Sequence, residues 1–190
     1  RAAGNGILQS NVQPGDVRFV DRNHDGQIND KDKVNLGNGT PDFTLGLNLG
    51  FVYKGFDFSI VANGAFGQQI VQSYRNHTRP TPNYTTAILD RWHGEGTSNR
   101  IPRVTDSNIN YQFSDLFIQN GDYLRLSTLT LGYDFAKLFK GKAVSQARLY
   151  FQVQNLFIIT GYDGMDPEIG FGSSNNSWVS GLDYGYYPRP

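Results

Sequence analysis

The feature that most constrains the fold is an alternation along Phe43–Tyr53, where every second side chain is large and apolar and those between are mostly small or polar. A period of two indicates a β-strand with one apolar face, because successive side chains of a strand point to opposite sides. The alternation resumes at Phe56 after a tight Lys54–Gly55 turn and continues to Asn63. The two segments therefore predict a β-hairpin.

A second hairpin is predicted from Arg125–Phe135 and Ala147–Gln154, which are joined by a lysine-rich connection. In its last strand Leu149, Phe151 and Val153 face one way, and polar side chains face the other. One face suits lipid and the other suits water. Periodicity alone fits a soluble β-sandwich and a membrane β-barrel about equally well.

The composition narrows the choice of protein class. Mean hydropathy is −0.47 although 14% of the 190 residues are aromatic, which favours strands that are polar on one face and apolar on the other. The chain has no run of roughly 18 apolar residues, so a membrane-spanning helix is not predicted. The 17 basic residues are balanced by 17 acidic ones, and nothing favours nucleic acid as a partner. The first residues do not form a signal peptide, and we expect the chain to start within a longer protein.

Connection lengths favour the membrane barrel. The links at one end of the predicted strands are short or moderate, whereas Ser73–Gly121 and Thr160–Pro190 are long excursions from the other end. Outer-membrane barrels combine short periplasmic turns with long extracellular loops. The predicted fold class is therefore all-β: an antiparallel transmembrane β-barrel segment with long extracellular loops, of which residues 73–121 are one. Within that loop, Tyr84–Trp92 is predicted to form a short helix.

Residues 21–32 have the spacing of a calcium-binding loop. Oxygen-bearing side chains occupy positions 1, 3, 5 and 12, and Gly26 occupies position 6, where the chain turns sharply and φ is expected to be positive. Ca²⁺ prefers oxygen ligands of this kind. The predicted metal ligands are the side chains of Asp21, Asn23, Asp25 and Asp32 and the backbone carbonyl of Gln27.

The residues around this loop argue against a calcium sensor. An EF-hand needs a helix on each side, but Val17–Val20 and Val34–Gly37 do not have helical patterns. A single loop without flanking helices is better interpreted as a structural clip for an extracellular loop, with Ca²⁺ as its cofactor. The alternative is a turn rich in Asp, Asn and Gly whose side chains bond only their own backbone.

A series of motifs along the chain resembles the C-terminal barrel of SusC/RagA-like TonB-dependent transporters of Bacteroidota outer membranes. They are Pro14–Phe19 before the Asp-rich loop, Leu36–Asn38, Pro41–Asn48, Tyr53–Asp57, Arg91–Trp92, Gly96–Asn99, Ser114–Asp115, Tyr123–Leu126, Leu129–Tyr133, Gln154–Phe157, Asp166–Glu168 and Tyr187–Pro188. Together they span nearly the whole chain in order. Leu129–Tyr133 and Gln154–Phe157 are the most specific of them.

The resemblance implies that residues 1–190 are a C-terminal fragment of a plugged barrel of about 22 strands. The implied function is TonB-energised uptake of oligosaccharides or peptides across the cell outer membrane, beneath a SusD-like lipoprotein lid. The implied partners are this lid, outer-membrane lipid, the substrate, and TonB through N-terminal parts outside this chain.

Two other functions are weaker on the sequence. A secreted, calcium-stabilised β-domain could bind glycans through exposed aromatic side chains such as Trp92 and Trp178. An enzyme is not expected, because His24, His77 and His93 have no partner spacing typical of a catalytic site. The carboxylates of Asp163, Asp166 and Glu168 are better explained by a turn in which an Asp side chain caps the backbone.

Overall fold

The structure is a computed structural model that describes residues 9–72, 86–106, 108–136, 147–164, 166–168 and 180–183. Seven strands lie in these ranges: β1 Phe43–Tyr53, β2 Phe56–Phe66, β3 Gln69–Gln72, β4 Ile118–Asn120, β5 Tyr123–Asp134, β6 Arg148–Thr160 and β7 Leu182–Asp183. Four short 3₁₀ turns accompany them: Asp30–Asp32, Thr86–Asp90, Asn108–Tyr111 and Asp115–Phe117. The predicted all-β fold class is confirmed.

The chain divides into two compact units, one formed by residues 1–36 and 73–117 and the other by residues 37–72 and 118–190. The second unit contains a four-stranded antiparallel sheet in the order β1-β2-β5-β6. Both predicted hairpins are present, and β1 has its predicted bounds, whereas β2 and β6 are longer than the sequence pattern indicated. β2 extends to Phe66 and β6 extends to Thr160. As described, the sheet is open, with β1 and β6 at its edges.

The turn between β1 and β2 has the tight geometry predicted for it. Lys54 has a φ of +49° and Gly55 a φ of +94°. Successive positive φ values match the twist of two antiparallel strands, and this pattern is typical of two-residue hairpin turns. The turn sets the register in which Tyr53 pairs with Phe56 and Phe43 pairs with Phe66.

The second unit also contains a small sheet that the sequence did not predict. Its order is β4-β3-β7, in which β3 pairs antiparallel with β4 and parallel with β7. Ile70 on β3 is 1% exposed and packs in the core of this unit. The strands are two to four residues long, too short for an alternation that could be recognised in the sequence.

The first unit contains irregular structure and 3₁₀ turns. The helix predicted for Tyr84–Trp92 is a 3₁₀ turn at Thr86–Asp90, and its predicted start lies outside the described residues. Arg91 and Ile101 form an isolated parallel bridge, in which Trp92 N donates to the Ile101 carbonyl at 2.9 Å. Within the described ranges, no helix is long and apolar enough to cross a membrane.

Candidate functional site

The loop of residues 21–32 makes its sharp turn at the predicted position. Gly26 has a φ of +82°, and a Cβ atom on it would meet nothing within 4 Å. Glycine is therefore needed here for its backbone conformation and not for lack of space. The Gly26 N–H donates to Asp21 Oδ2 at 2.9 Å. Asp21 Oδ1 is buried and accepts no hydrogen bond from the described part of the protein.

The middle of the loop is held by side chains that bond the backbone. Asn23 Oδ1 accepts from Asp25 N at 3.0 Å, and Asp25 Oδ1 accepts from Gln27 N at 2.9 Å. The Asn23 amide donates to the other Asp25 oxygen at 2.9 Å. These bonds, first that from Asn23 and then that from Gln27, lower the pKa of the Asp25 carboxyl below its usual value. The self-bonded turn considered from the sequence is thus present in the structure.

Asp32 joins the end of the loop to its beginning. Its Oδ2 accepts from Asn29 N and its Oδ1 accepts from Arg22 N, both at 2.8 Å. The hydrogen bond from Asn29 is the main reason that the pKa of the Asp32 carboxyl is lowered. Asn29 in turn caps the 3₁₀ turn Asp30–Asp32 by accepting from Lys31 N at 2.9 Å. Position 12 therefore closes the loop through backbone hydrogen bonds.

All five predicted ligand residues lie in this one loop, and neither flank is an α-helix. Among the described residues, no three His, Asp or Glu side chains form a cluster that could hold a metal ion. The carboxylates of Asp21, Asp25 and Asp32 instead accept from backbone N–H groups of the loop. Asp21 Oδ1 is the exception, because it is buried without a donor. A buried carboxylate oxygen without a partner is costly, and a cation would satisfy it.

A buried ion pair just before the loop was not predicted. The Asp16 side chain is 1% exposed and accepts from Arg103 Nε at 2.6 Å and Arg103 Nη2 at 3.2 Å. Asn110 donates to the same carboxylate at 3.1 Å, and its Oδ1 accepts from Val17 N at 2.8 Å. Burial would raise the pKa of Asp16, but the hydrogen bonds from Arg103, Gln13 N and Asn110 outweigh it and lower this pKa.

Gly15 allows the backbone next to Asp16 to pack closely against Arg103 and Trp92. Its carbonyl accepts from Arg103 N at 2.8 Å, and a Cβ atom on it would overlap the Trp92 ring. The Asp16 partners are 87 and 94 residues away in sequence. No local sequence pattern indicates this packing. Only the resemblance of the motif that includes Pro14–Asp16 to a family motif could have pointed to it.

The apolar face of the four-stranded sheet is exposed. On β1 the exposed fraction ranges from 41% for Leu47 to 63% for Phe51, and on β6 Leu149 is 69% and Phe151 is 64% exposed. A soluble sandwich would cover such a face with a second sheet. Soluble monomers rarely expose a continuous apolar face of this size, and such a face suits lipid. Strands of 11 to 13 residues are long enough for a tilted strand to cross a membrane, which takes roughly 9–11 residues.

The opposite face carries polar and charged side chains that pair with one another. Arg125 Nη2 lies 2.7 Å from Asp166 Oδ1, and Arg125 Nε lies 2.8 Å from Glu168 Oε2. Asp166 Oδ1 also accepts from Glu168 N at 2.9 Å. This bond confirms the predicted turn, in which an Asp side chain caps the backbone.

The third candidate carboxylate, that of Asp163, contacts the small sheet. Asp163 Oδ1 accepts from Gln72 Nε2 of β3 at 2.6 Å and from Gln119 Nε2 of β4.

Comparison with known sequences identifies relatives over nearly the whole chain. TonB-dependent receptor P3 of Formosa agariphila is 33% identical over 98% of this chain, and TonB-dependent receptor SusC of Bacteroides thetaiotaomicron is 31% identical over 96%. The chain spans 19% and 17% of these two relatives, so it corresponds to about a fifth of their length. No family model matches the chain.

Solved structures show the same fold. The RagAB peptide transporter matches 80% of this chain with a TM-score of 0.61 at 23% identity, and the chain covers 16% of it. The RagAB peptide importer in its closed-closed state matches 86% of this chain with a TM-score of 0.63 at 22% identity, and the chain covers 18% of it. These likenesses are in the fold, and the sequence relatives supply the family.

Three observations agree with the motif series. The sheet has one polar and one apolar face, the sequence relatives are named TonB-dependent receptors, and the solved RagAB structures match the fold. The chain is a segment of a SusC/RagA-like TonB-dependent receptor, a class of β-barrel protein of the bacterial outer membrane.

Proposed function

We propose that the protein to which this segment belongs is an outer-membrane importer that takes up oligosaccharides or peptides, energised by TonB. The observation that carries the proposal is a sheet with one apolar and one polar face in a sequence similar to SusC over 96% of its length. In this proposal the apolar face contacts lipid and the face with Arg125 contacts the interior. TonB acts through parts of the protein outside this chain.

Uptake in cells that lack the complete receptor tests this function. We expect deletion to abolish uptake of one fluorescently labelled class, oligosaccharides or peptides, and plasmid-borne receptor to restore it. Cells without TonB should fail in the same way. Unchanged uptake of both classes after deletion, or restored uptake without TonB, would contradict the proposal.

We further propose a SusD-like surface lipoprotein as the partner that closes over the importer. The support is the similarity to SusC and the fold shared with the RagAB structures. Purification of the tagged receptor in mild detergent should yield a SusD-like lipoprotein in about equal amount, identified by mass spectrometry. A receptor that transports substrate but purifies and works without such a lipoprotein would contradict this part of the proposal.

For the loop of residues 21–32 we propose a structural Ca²⁺ site on the extracellular side. Its side-chain ligands are Asp21, Asn23, Asp25 and Asp32, and Gln27 contributes its backbone carbonyl. Support comes from the spacing, from the positive φ of Gly26 and from the buried Asp21 Oδ1 that has no donor. When bound, the ion supplies charge neutralisation and rigidity. The loop residues hold the turn through the bonds to Gly26, Gln27 and Asn29.

Calorimetric titration of the purified complete receptor with CaCl₂ tests this site. Extracellular calcium modules bind with dissociation constants of roughly 10⁻⁴–10⁻³ M, and we expect this range. Asp21→Asn should weaken binding by at least about tenfold, since a charge next to the ion is lost. Asp30→Asn is the matched control, because Asp30 is 92% exposed and pairs with Lys33.

Two results would contradict the calcium proposal. One is the absence of binding at millimolar Ca²⁺, which would leave the self-bonded turn as the whole role of the loop. The other is an equal loss of affinity in Asp21→Asn and Asp30→Asn, which would indicate unspecific attraction to negative charge.

We infer that the segment has no catalytic role. The carboxylates of Asp163, Asp166 and Glu168, which are the candidates for acid–base hydrolysis, are engaged by Arg125, Gln72 and Gln119. Incubation of the purified receptor with labelled oligosaccharides tests the inference by chromatography of the products. Hydrolysis that disappears in Glu168→Gln would contradict it.

A further inference from the structure

Aromatic side chains cluster at the end of the apolar face near the β1–β2 turn. The rings of Phe56 and Tyr133 lie 4.4 Å apart, and those of Tyr133 and Phe135 lie 4.7 Å apart in an edge-on arrangement. Tyr53 belongs to the same end and is 56% exposed, and Phe56 is 54% exposed. Exposed aromatic rings at the end of an apolar band are typical of the depth at which lipid tails meet headgroups.

A cation lies on this cluster. Lys54 is exposed at the tip of the turn, and its Nζ lies 5.2 Å from the centre of the Tyr53 ring. No carboxylate of the described residues lies within ion-pair distance of this ammonium group, since none of the ion pairs found there includes it. Within the part of the chain that the structure describes, the charge of Lys54 is therefore not paired with a carboxylate.

The other face of the sheet at this end is different. Arg148 also lies over an aromatic ring, 5.3 Å from the centre of Tyr150, but its guanidinium pairs with Asp57. Among the described residues, the cation on the polar face thus has a carboxylate partner, whereas the cation on the apolar face has none. An anion that approaches the apolar face from outside the protein would complete the arrangement.

We propose that Tyr53, Lys54, Phe56, Tyr133 and Phe135 form a binding site for the phosphate of an anionic phospholipid headgroup. The Lys54 side chain lies over the Tyr53 ring and places its ammonium group at headgroup level, as lysines near membrane interfaces do. The rings contact the upper acyl chains and the glycerol region. The proposal rests on the position of this sheet in the outer membrane and is independent of the imported substrate.

Native mass spectrometry of the complete receptor tests the site. The detergent-purified receptor is titrated with phosphatidylglycerol and, separately, with phosphatidylcholine. For phosphatidylglycerol, Lys54→Gln should weaken retention of the first bound lipid roughly fivefold, the effect of one basic residue near an anionic surface. Lys54→Arg should retain most of the affinity. Lys31→Gln is the matched control, because Lys31 is an exposed lysine in the loop of residues 21–32.

Three results would overturn the proposal. The first is equal phosphatidylglycerol affinity in the parent and Lys54→Gln, and the second is an equal loss in Lys31→Gln. The third is a Lys54-dependent affinity for lipid A that exceeds the affinity for phosphatidylglycerol, which would make lipopolysaccharide the occupant. Uptake assays on the same variants separate a failure of the lipid proposal from a failure of the import function, because Lys54→Gln is expected to transport normally.

Discussion

Asp57 and Arg148 form an ion pair although their strands are not neighbours, with Arg148 Nε 3.0 Å from Asp57 Oδ1. β5 lies between them, and the pair is possible because Gly132 occupies the intervening position. A Cβ atom on Gly132 would overlap the Asp57 carboxylate. Glycine is therefore needed between Leu131 and Tyr133 for a steric reason, because it leaves room for an ion pair that crosses three strands.

Gly132→Ala should displace the Asp57 carboxylate and break this pair. Asp57 is 26% and Arg148 50% exposed, so the expected loss of stability is below about 1 kcal/mol. Gly50→Ala is the control, because a Cβ atom there would meet nothing within 4 Å. Thermal unfolding of the complete receptor in detergent measures the difference. Equal melting temperatures for both variants would show that the pair contributes nothing.

Gly15→Ala should disturb the packing of the first unit by steric overlap with Trp92. Gly96→Ala isolates this effect, because Gly96 has a φ of +79°, close to the +89° of Gly15, but a Cβ atom on Gly96 would meet nothing within 4 Å. Both variants carry the backbone strain of about 1 kcal/mol. Only Gly15→Ala should accelerate hydrogen exchange around Trp92 by more than that strain explains. A similar change in both variants would refute the steric argument.

Asp16→Asn should open the segment around Gly15–Val17, because it leaves the Arg103 guanidinium partly buried and without its carboxylate. Loss of one partner of a buried ion pair costs about 3 kcal/mol, which is on the order of a hundredfold in local opening. Hydrogen exchange at Val17 and Arg103 measures it. The exposed Asp30 offers the control variant Asp30→Asn. Unchanged exchange at both amides would show that the pair does not hold this segment.

The same carboxylate predicts how this segment responds to acid. The pKa of Asp16 is lowered from its ordinary value of 3.8, so the folded state binds the proton less readily than the unfolded state. Its contribution is therefore complete above about pH 4 and is lost as the pH falls through the lowered value. Exchange in the Asp16→Asn variant should lack this dependence. An identical acid response in the parent and the variant would assign it to other groups.

Arg125 should hold the segment that contains Asp166 and Glu168 against the sheet. Asp166 is 27% and Glu168 48% exposed, so Asp166→Asn should weaken this attachment more than Glu168→Gln. The expected difference is a few-fold in hydrogen exchange at Glu168 N, which donates to Asp166 Oδ1. The reverse order of the two variants would contradict the assignment.

The sequence predicted the parts of the fold that have local periodicity. The alternation through Phe43–Tyr53 and Leu149–Val153 identified β1 and β6 and their apolar faces. The residue spacing of the calcium-binding loop predicted the positive φ of Gly26. The pairing of Asp16 with Arg103 was not predictable, because the partners are far apart in sequence and lie in irregular structure. The strands β3, β4 and β7 were missed because they are too short to show a period.

A rule based on strict alternation also misses one irregularity, an extra residue in β5. β5 pairs through Leu126 with Ala62 and then through Thr128 with Val61, so Ser127 is an extra residue relative to β2. Leu124 and Leu126 share the apolar face with Leu129 and Leu131 although the spacing between the two pairs is odd. A regular period of two would have assigned them to opposite faces.

The extra residue at Ser127 restricts how this protein can be recombined with its relatives. A chimera that joins β5 of two receptors with one residue more or fewer before this point would turn Arg125 toward lipid and Leu124 toward the interior. Crossover points are therefore better placed in the Lys54–Gly55 turn, where the two strands end in register. Insertion of a single residue next to Ser127 should be tolerated far less well than insertion of a whole loop after the exposed Glu95.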